Sequence, residues 1–264
     1  MDGAGSPTAR DALRVAVRLA RAGRRPAGSA AEGRAQALAK RIFARAGLRV
    51  EVQRFAVPGH GRSRNVIGVL DTRGRCLRIV MAHADTTTRG PGANDNASGV
   101  GLVASLAPRL ASLGAACDVW LVATGAEERI HTRSPDHLGA LALARRVRAR
   151  GLSSRLRWAL SVDEVGRGPD FWLRSPVRAE RRGVERELLV AARRARARVR
   201  WVRDEGSGNS DHREFELLGM RAAKLGVGAR GEPCRHKPCD RARRLQRRAR
   251  YSARLVVERA LRIR

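Results

Sequence analysis

The chain has 264 residues, 43 % of them apolar and 3 % aromatic, enough for a sizeable core of alanine, valine and leucine and too many for a disordered chain. No window approaches eighteen consecutive apolar residues, which excludes a transmembrane helix. The net charge of +30 comes almost wholly from arginine, since Lys40, Lys224 and Lys237 are the only lysines.

Residues 8–48 read as one or two helices, interrupted at GRRPAGSA by glycine and proline. RVEVQRFAV (49–57) alternates like a strand. NVIGVL (65–70) and LRIVMA (77–82) are short apolar runs, and the turn residues between them predict a hairpin. Residues 97–113 have helical spacing, with Pro108 expected to kink or divide the helix. DVWLVAT (118–124) reads as a buried strand, 135–150 as a helix, WALSVD (158–163) and FWLR (171–174) as strands. Residues 183–197 are predicted helical, RVRWVR (198–203) extended, MRAAKLGVG (220–228) a last core strand, and 240–262 an amphipathic helix. Strands alternating with helices predict an α/β sandwich whose sheet is mixed because of the early hairpin. No internal repeat or low-complexity linker divides the chain. Residues 1–264 are therefore expected to form a single domain, with 1–48 as lead-in helices packed on it.

Cys76, Cys117, Cys234 and Cys239 lack the paired CxxC spacing of a zinc ribbon. Cys76 and Cys117 lie at the starts of apolar runs and are read as small core residues. Cys234 and Cys239 are close enough to bridge but are expected as free thiols in a reducing cytoplasm. The cytoplasm is the location read from an N-terminus that carries charge every few residues and lacks the apolar stretch of a signal peptide. The arginines sit in alanine-rich helical segments without the aromatic interleaving that stacks bases. They are read as solvated helix faces rather than a nucleic-acid surface.

The chemistry-bearing residues follow the predicted strands. LRIVMA ends at His83, with Asp85 two residues on and Asp95 in the glycine-rich stretch GPGANDNASG. DVWLVAT leads to Glu127 and Glu128, WALSVD ends at Asp163, and the last core strand is followed by CRHKPCD with His236 inside it. In open α/β sheets ligands bind beyond the carboxyl ends of strands. Histidines and carboxylates delivered there suit a divalent metal such as zinc. Singly, each piece is ordinary: an HxD pair is common on surfaces, a Glu-Glu after a strand favours a helix N-terminus, and Asp163 could be a cap. GVGARG (226–231) fits a dinucleotide fingerprint, but the prolines that follow argue against the helix such a site needs.

Taken together, HAD, GANDNASG, TGAEE, SVDEVG, SDH and HKPCD resemble the co-catalytic zinc aminopeptidases of peptidase family M28, over nearly the whole chain. The resemblance implies a three-layer α/β/α sandwich with a mostly parallel central sheet, as in zinc-dependent exopeptidases, acting on peptides. It implies two Zn2+ ions, for which Co2+ or Mn2+ could substitute. His83, Asp95 and Asp163 would hold one, and Asp95, Glu128 and His236 the other. Glu127 would be the general base and Asp85 would orient His83. A cis Asp95–Asn96 peptide and a structural role for Ser210-Asp211-His212 are also implied.

This sequence departs from the family after Glu128, where ERIHTRS replaces a smaller, glycine-containing segment. Arg129 could there weaken the second metal or turn outward toward a substrate carboxylate. His60, His131 and His137 are read as loop or surface residues. The alternatives are a single-metal enzyme of the same fold, glutaminyl-cyclase-like or an amidohydrolase, and a non-catalytic polyanion binder.

Overall fold

The computed structural model describes residues 7–204, 206 and 208–263. Two helices lead in, α1 (Pro7–Arg21) and α2 (Ala30–Arg45). Ala12, Ala16, Leu19 and Ala20 are buried along one face of α1 at helical spacing. Ser29 caps α2 by accepting the Glu32 N–H, and Glu32 in turn accepts the Gly28 N–H, so S-x-x-E acts here as a capping box displaced by one residue.

Eight strands form one sheet in the order β1-β2-β4-β3-β5-β8-β6-β7. They are β1 (Arg49–Val57), β2 (Gly61–Leu70), β3 (Leu77–His83), β4 (Asp118–Thr124), β5 (Leu156–Asp163), β6 (Asp170–Ser175), β7 (Arg198–Arg203) and β8 (Ala222–Val227). The central strands β4, β3, β5 and β8 run parallel, and antiparallel pairing at β1/β2, β2/β4 and β6/β8 makes the sheet mixed. The predicted hairpin is therefore misplaced. β2 turns back on β1, and β3 crosses to the far side of β4, where both of its faces are buried.

Side chains divide between the faces with period two. Val80, Ala82, Leu121 and Leu160 pack with α1, α2, α3 (Ser98–Leu110), α6 (Glu185–Arg194) and α8 (Arg247–Arg262). Ile79, Met81, Val122 and Ala159 face the layer containing α5 (Leu138–Ala149) and α7 (His212–Leu217), and a single turn, α4 (Arg129–Thr132), follows Glu128. The three-layer α/β/α expectation is met. Pro108 does not divide α3, because it falls within the last turn, where the i→i−4 bond it removes leaves only two helical residues beyond it. The short α7 was not foreseen, and residues 240–246 stay irregular apart from one 3-10 turn before α8. All four cysteines pair. Cys76–Cys117 joins the regions where β3 and β4 begin, and Cys234–Cys239 closes a small loop; Cys117 is buried as expected and Cys76 half-buried, and the free-thiol expectation for Cys234 and Cys239 does not hold.

One buried ion pair ties three elements together. Arg78 on β3 is fully buried, donates to Glu187 on α6 at 2.6 Å, and also reaches the carbonyls of Leu261 and Ile263 at the end of α8. Glu187 accepts from Trp158 and Arg157 as well. Removing one partner leaves a buried charge unmatched, which costs about 3–5 kcal/mol. Glu187→Ala should lower the free energy of urea unfolding by about that amount, whereas an exposed change such as Arg145→Ala on α5 should stay within about 0.5 kcal/mol.

Candidate metal centre

Because β3, β4, β5 and β8 are parallel, their carboxyl ends open on the same edge of the sheet. His83 and Asp163 are the last residues of β3 and β5, and Glu127 and Glu128 follow β4. Asp95 sits in an irregular turn, Ala93–Ala97, ahead of α3, and its peptide bond to Asn96 is cis, as the resemblance implied. His236 comes from the loop after β8, with φ of 55°.

These side chains converge. His83 Nε2 lies 3.3 Å from Asp95 Oδ1, 3.5 Å from Asp163 Oδ1 and 4.0 Å from Glu127 Oε2. His236 Nε2 lies 3.2 Å from Asp95 Oδ2 and 3.0 Å from Glu128 Oε2. Asp95 therefore turns one oxygen to each histidine. Atoms of His83, Asp95 and Glu128 come within 4.8 Å of one another, as do atoms of His83, Glu127 and Asp163. His83 Nε2, Asp163 Oδ1 and Glu128 Oε1 are buried without hydrogen-bond partners. Buried polar atoms are ordinarily satisfied, and imidazole and carboxylate donors of this kind are those a divalent cation takes. The residues fit a metal.

The backbone is held from several directions. Asp85 accepts the N–H groups of Glu127 and Glu128 at 3.1 and 3.0 Å, while its contact with His83 Nδ1 is longer, at 3.5 Å. Asp85 thus places the Glu-Glu turn more firmly than it orients His83. Asp240 of the HKPCD segment accepts the N–H groups of Asn94 and Asp95. Glu32 accepts the Ala126 N–H, and Ser63 donates to Glu32. The approach there is so close that a Cβ on Gly125 would lie 2.3 Å from Ser63 Oγ. Gly92 has φ of 58°, and a Cβ there would lie 2.2 Å from the Asp95 carbonyl oxygen. That is the sharp turn through which His83 and Asp95 come together. Ser210, from the SDH segment, and Lys224 on β8 both donate to Asp163 Oδ2, at 3.1 and 2.6 Å, leaving Oδ1 toward His83. Asp211 accepts from Thr124, and His212 pairs with Asp204.

Electrostatics follow from burial and crowding. Burial and the neighbouring Glu128 and Asp163 push the Glu127 carboxyl well above its usual range, with His83 opposing. Burial and Asp95 raise Glu128 to about 7. Burial works against charge on Asp95, yet hydrogen bonds from His236 and His83 hold it well below the carboxylate range. Asp163 is likewise held low against burial, chiefly by Lys224. Hydrogen bonds to Asp95 and Glu128 raise His236 to about 10.

His137 is not a surface residue. It is buried, its Nδ1 lies 2.9 Å from Glu214 Oε1, and its Nε2 lies 3.6 Å from Glu127 Oε1. His131 stacks on His60 with ring centroids 4.3 Å apart, away from the ligand cluster. Arg129 hydrogen-bonds the Pro135 carbonyl. Sequence reading did not single out Asp240, Lys224, Glu32 or Glu214. For Asp240 a signal existed, an acid four residues after His236; the others reach the site from distant elements.

A cavity of about 470 Å³ opens over the cluster, bounded by Glu127, His236 and His137 and by Arg129, Arg133 and Lys224. The sequence model of Peptidase family M28 matches residues 65–259. No curated protein matches the chain. Among solved structures, a leucine aminopeptidase precursor from Bacteroides thetaiotaomicron is 18 % identical, with a TM-score of 0.84 over 97 % of each chain. A Bacteroides thetaiotaomicron glutaminyl cyclase bound to N-acetylhistamine is also 18 % identical, with a TM-score of 0.83 over 97 % of this chain and 98 % of that one. A zinc aminopeptidase from Bacillus subtilis, BSAP, is 16 % identical, with a TM-score of 0.81 over 96 % and 93 %. At such identities the likeness speaks for the fold, while the family match spans most of the sequence. The chain belongs to peptidase family M28.

Proposed function

We propose that the protein is a two-zinc aminopeptidase that removes N-terminal residues from peptides. The observation that carries this reading is Asp95, whose two oxygens face two separate histidines, each accompanied by a further carboxylate. His83, Asp95 and Asp163 would hold one ion, and Asp95, Glu128 and His236 the other. Zinc bound there would supply Lewis acidity toward the scissile carbonyl and make the attacking water acidic near neutral pH. Glu127 lies next to a ligand in sequence without being needed as one, and it would take the proton of the water and hand it to the leaving amine. His137 Nε2, 3.6 Å from Glu127 Oε1, keeps that carboxylate facing the cavity. Asp85 fixes the turn bearing Glu127 and Glu128 through their N–H groups. The likeness to a glutaminyl cyclase supports a second reading, in which an N-terminal glutamine is cyclised with loss of ammonia. The two disulfides favour an oxidising compartment over the cytoplasmic location read from the N-terminus.

Elemental analysis of the purified chain should find two zinc ions per molecule, and leucine- and alanine-p-nitroanilide should be hydrolysed. Glu127→Ala should keep both metals and lose about 10²–10⁴-fold in kcat. Metal-free protein, with activity present and insensitive to a chelator, would rule the assignment out. A glutaminyl peptide followed by mass spectrometry separates the readings, release of glutamine marking a peptidase and loss of ammonia a cyclase.

Asp85→Asn keeps the size of the side chain but removes the charge that holds two backbone N–H groups. It should weaken zinc binding by about 10–100-fold in a competition titration with a chromophoric chelator. Unchanged affinity would show that Asp85 does not position the ligands.

A further inference from the structure

Beside the metal centre lies a second cavity of about 560 Å³, sharing Ile130 and Arg133 with the first as a common wall. Its cationic and ionisable side chains are Arg89, Arg133, His60 and His131, with Thr87 and Thr132 between them, and among the described residues no aspartate or glutamate lines it. Arg89 and Arg133 are exposed, and neither forms an ion pair among the described residues. The acids nearest in sequence are already engaged. Arg213 pairs with Asp136 and Glu214, His137 takes Glu214 as well, and Glu128 faces His236. Arg129, on the wall of the first cavity, likewise has no carboxylate partner among the described residues and donates to the Pro135 carbonyl. The other cations around the first cavity differ. Lys224, Arg235 and Arg174 each face an acid, namely Asp163, Glu164 and Asp204.

From this asymmetry we infer that the annex is a carboxylate-binding subsite. It receives a carboxylate of the peptide whose scissile bond lies at the metal centre, and so selects short peptides with a free C-terminus or peptides with an acidic residue near the cut. The inference rests on the peptidase reading above and names its substrate class. Guanidinium groups suit the role because they bind carboxylates through paired N–H donors and stay charged at every working pH. The threonine hydroxyls and the exposed Ile130 leave room for the peptide chain between the two cavities. An excess of positive charge over the whole molecule would attract acidic peptides too, but without a preferred place for them.

The test measures binding and turnover on the zinc-loaded chain. Three peptides are compared: the amide of Ala-Ala-Ala-Ala, its free acid, and the amide of Ala-Ala-Asp-Ala. Calorimetry on Glu127→Ala gives affinities without appreciable cleavage, and wild type gives kcat/KM. One or both carboxylate-bearing peptides should bind about 10–100-fold more tightly than the neutral amide, as expected for charge-assisted hydrogen bonds. The better of the two identifies the C-terminal or the side-chain carboxylate as the group recognised. The preference should collapse toward one in Arg89→Ala/Arg133→Ala and persist in Arg193→Ala/Arg194→Ala, which removes the same charge from the exposed end of α6. Affinities of the three peptides within twofold, no detectable binding of any, or an equal loss in both double variants would overturn the proposal. A preference that holds while wild type cleaves none of the peptides would sustain the subsite and reject the peptidase reading.

Discussion

One carboxylate, that of Asp95, presents an oxygen to each of two histidines, and much of the molecule serves to keep it there. Around it are buried Asp163, Glu127, Glu128 and Asp85. Carboxylates packed this closely repel one another, and burial makes each charge still more costly. The fold answers with donors rather than distance. Backbone N–H groups are met by Asp85 and Asp240, Lys224 and Ser210 occupy one oxygen of Asp163, and the two histidines lie between the acids. What remains uncompensated is the set of unpartnered atoms turned inward at His83, Asp163 and Glu128. Cations are the natural complement to such a remainder.

The supports come from every part of the chain. Arg25, between the two lead-in helices, is buried and donates to the carbonyls of Ala84, Pro91 and Gly92, so the loop from β3 to Asp95 is wrapped around a guanidinium. Burial lowers its pKa to about 10, with Asp85 and Asp240 opposing, and it stays charged at neutral pH. Glu32 serves two ends, capping α2 and holding the Ala126 N–H just ahead of Glu127. The Cys234–Cys239 bridge closes the loop that carries His236. The lead-in helices are thus joined to the centre by polar contacts as well as by packing.

Much of this was legible from the sequence, and the reason is local. A strand in the middle of a parallel sheet is an apolar run, and its end is visible where the run stops, so His83, Asp163 and the Glu-Glu pair could be placed at one edge. β1, β4 and β7 agree with the predicted ranges residue for residue. What sequence could not supply was pairing. The turn residues 71–76 look the same whether β3 returns on β2 or crosses β4, and only the two buried faces of β3 decide between them. The Cys76–Cys117 bridge follows from that same placement, because it needs β3 beside β4. His137 escaped for a related reason. Nothing in SPDHL indicates that Glu214, 77 residues later, will take its ring nitrogen.

The arginines show how composition divides once the chain folds. Most decorate exposed faces, as their spacing in alanine-rich helices suggested, but Arg25, Arg78, Arg250 and Arg254 are buried. Arg78 and Arg25 are held by carbonyls and acids, so they act as internal cross-links between layers rather than as a field. The same residue type is therefore used at three levels: as solvated surface, as buried tie, and as the acid-free lining of the cavity beside the metal centre. Only the surface arginines contribute chiefly at long range, where salt screens them within about 10 Å. The cavity arginines differ because their charge is concentrated at one wall, next to a centre rich in acids. On the proposed reading, a peptide that carries a positive amine at one end and a carboxylate at or toward the other would meet opposite charge at both places, and this pairing, more than the net charge of +30, would give the molecule a direction along which to bind a substrate.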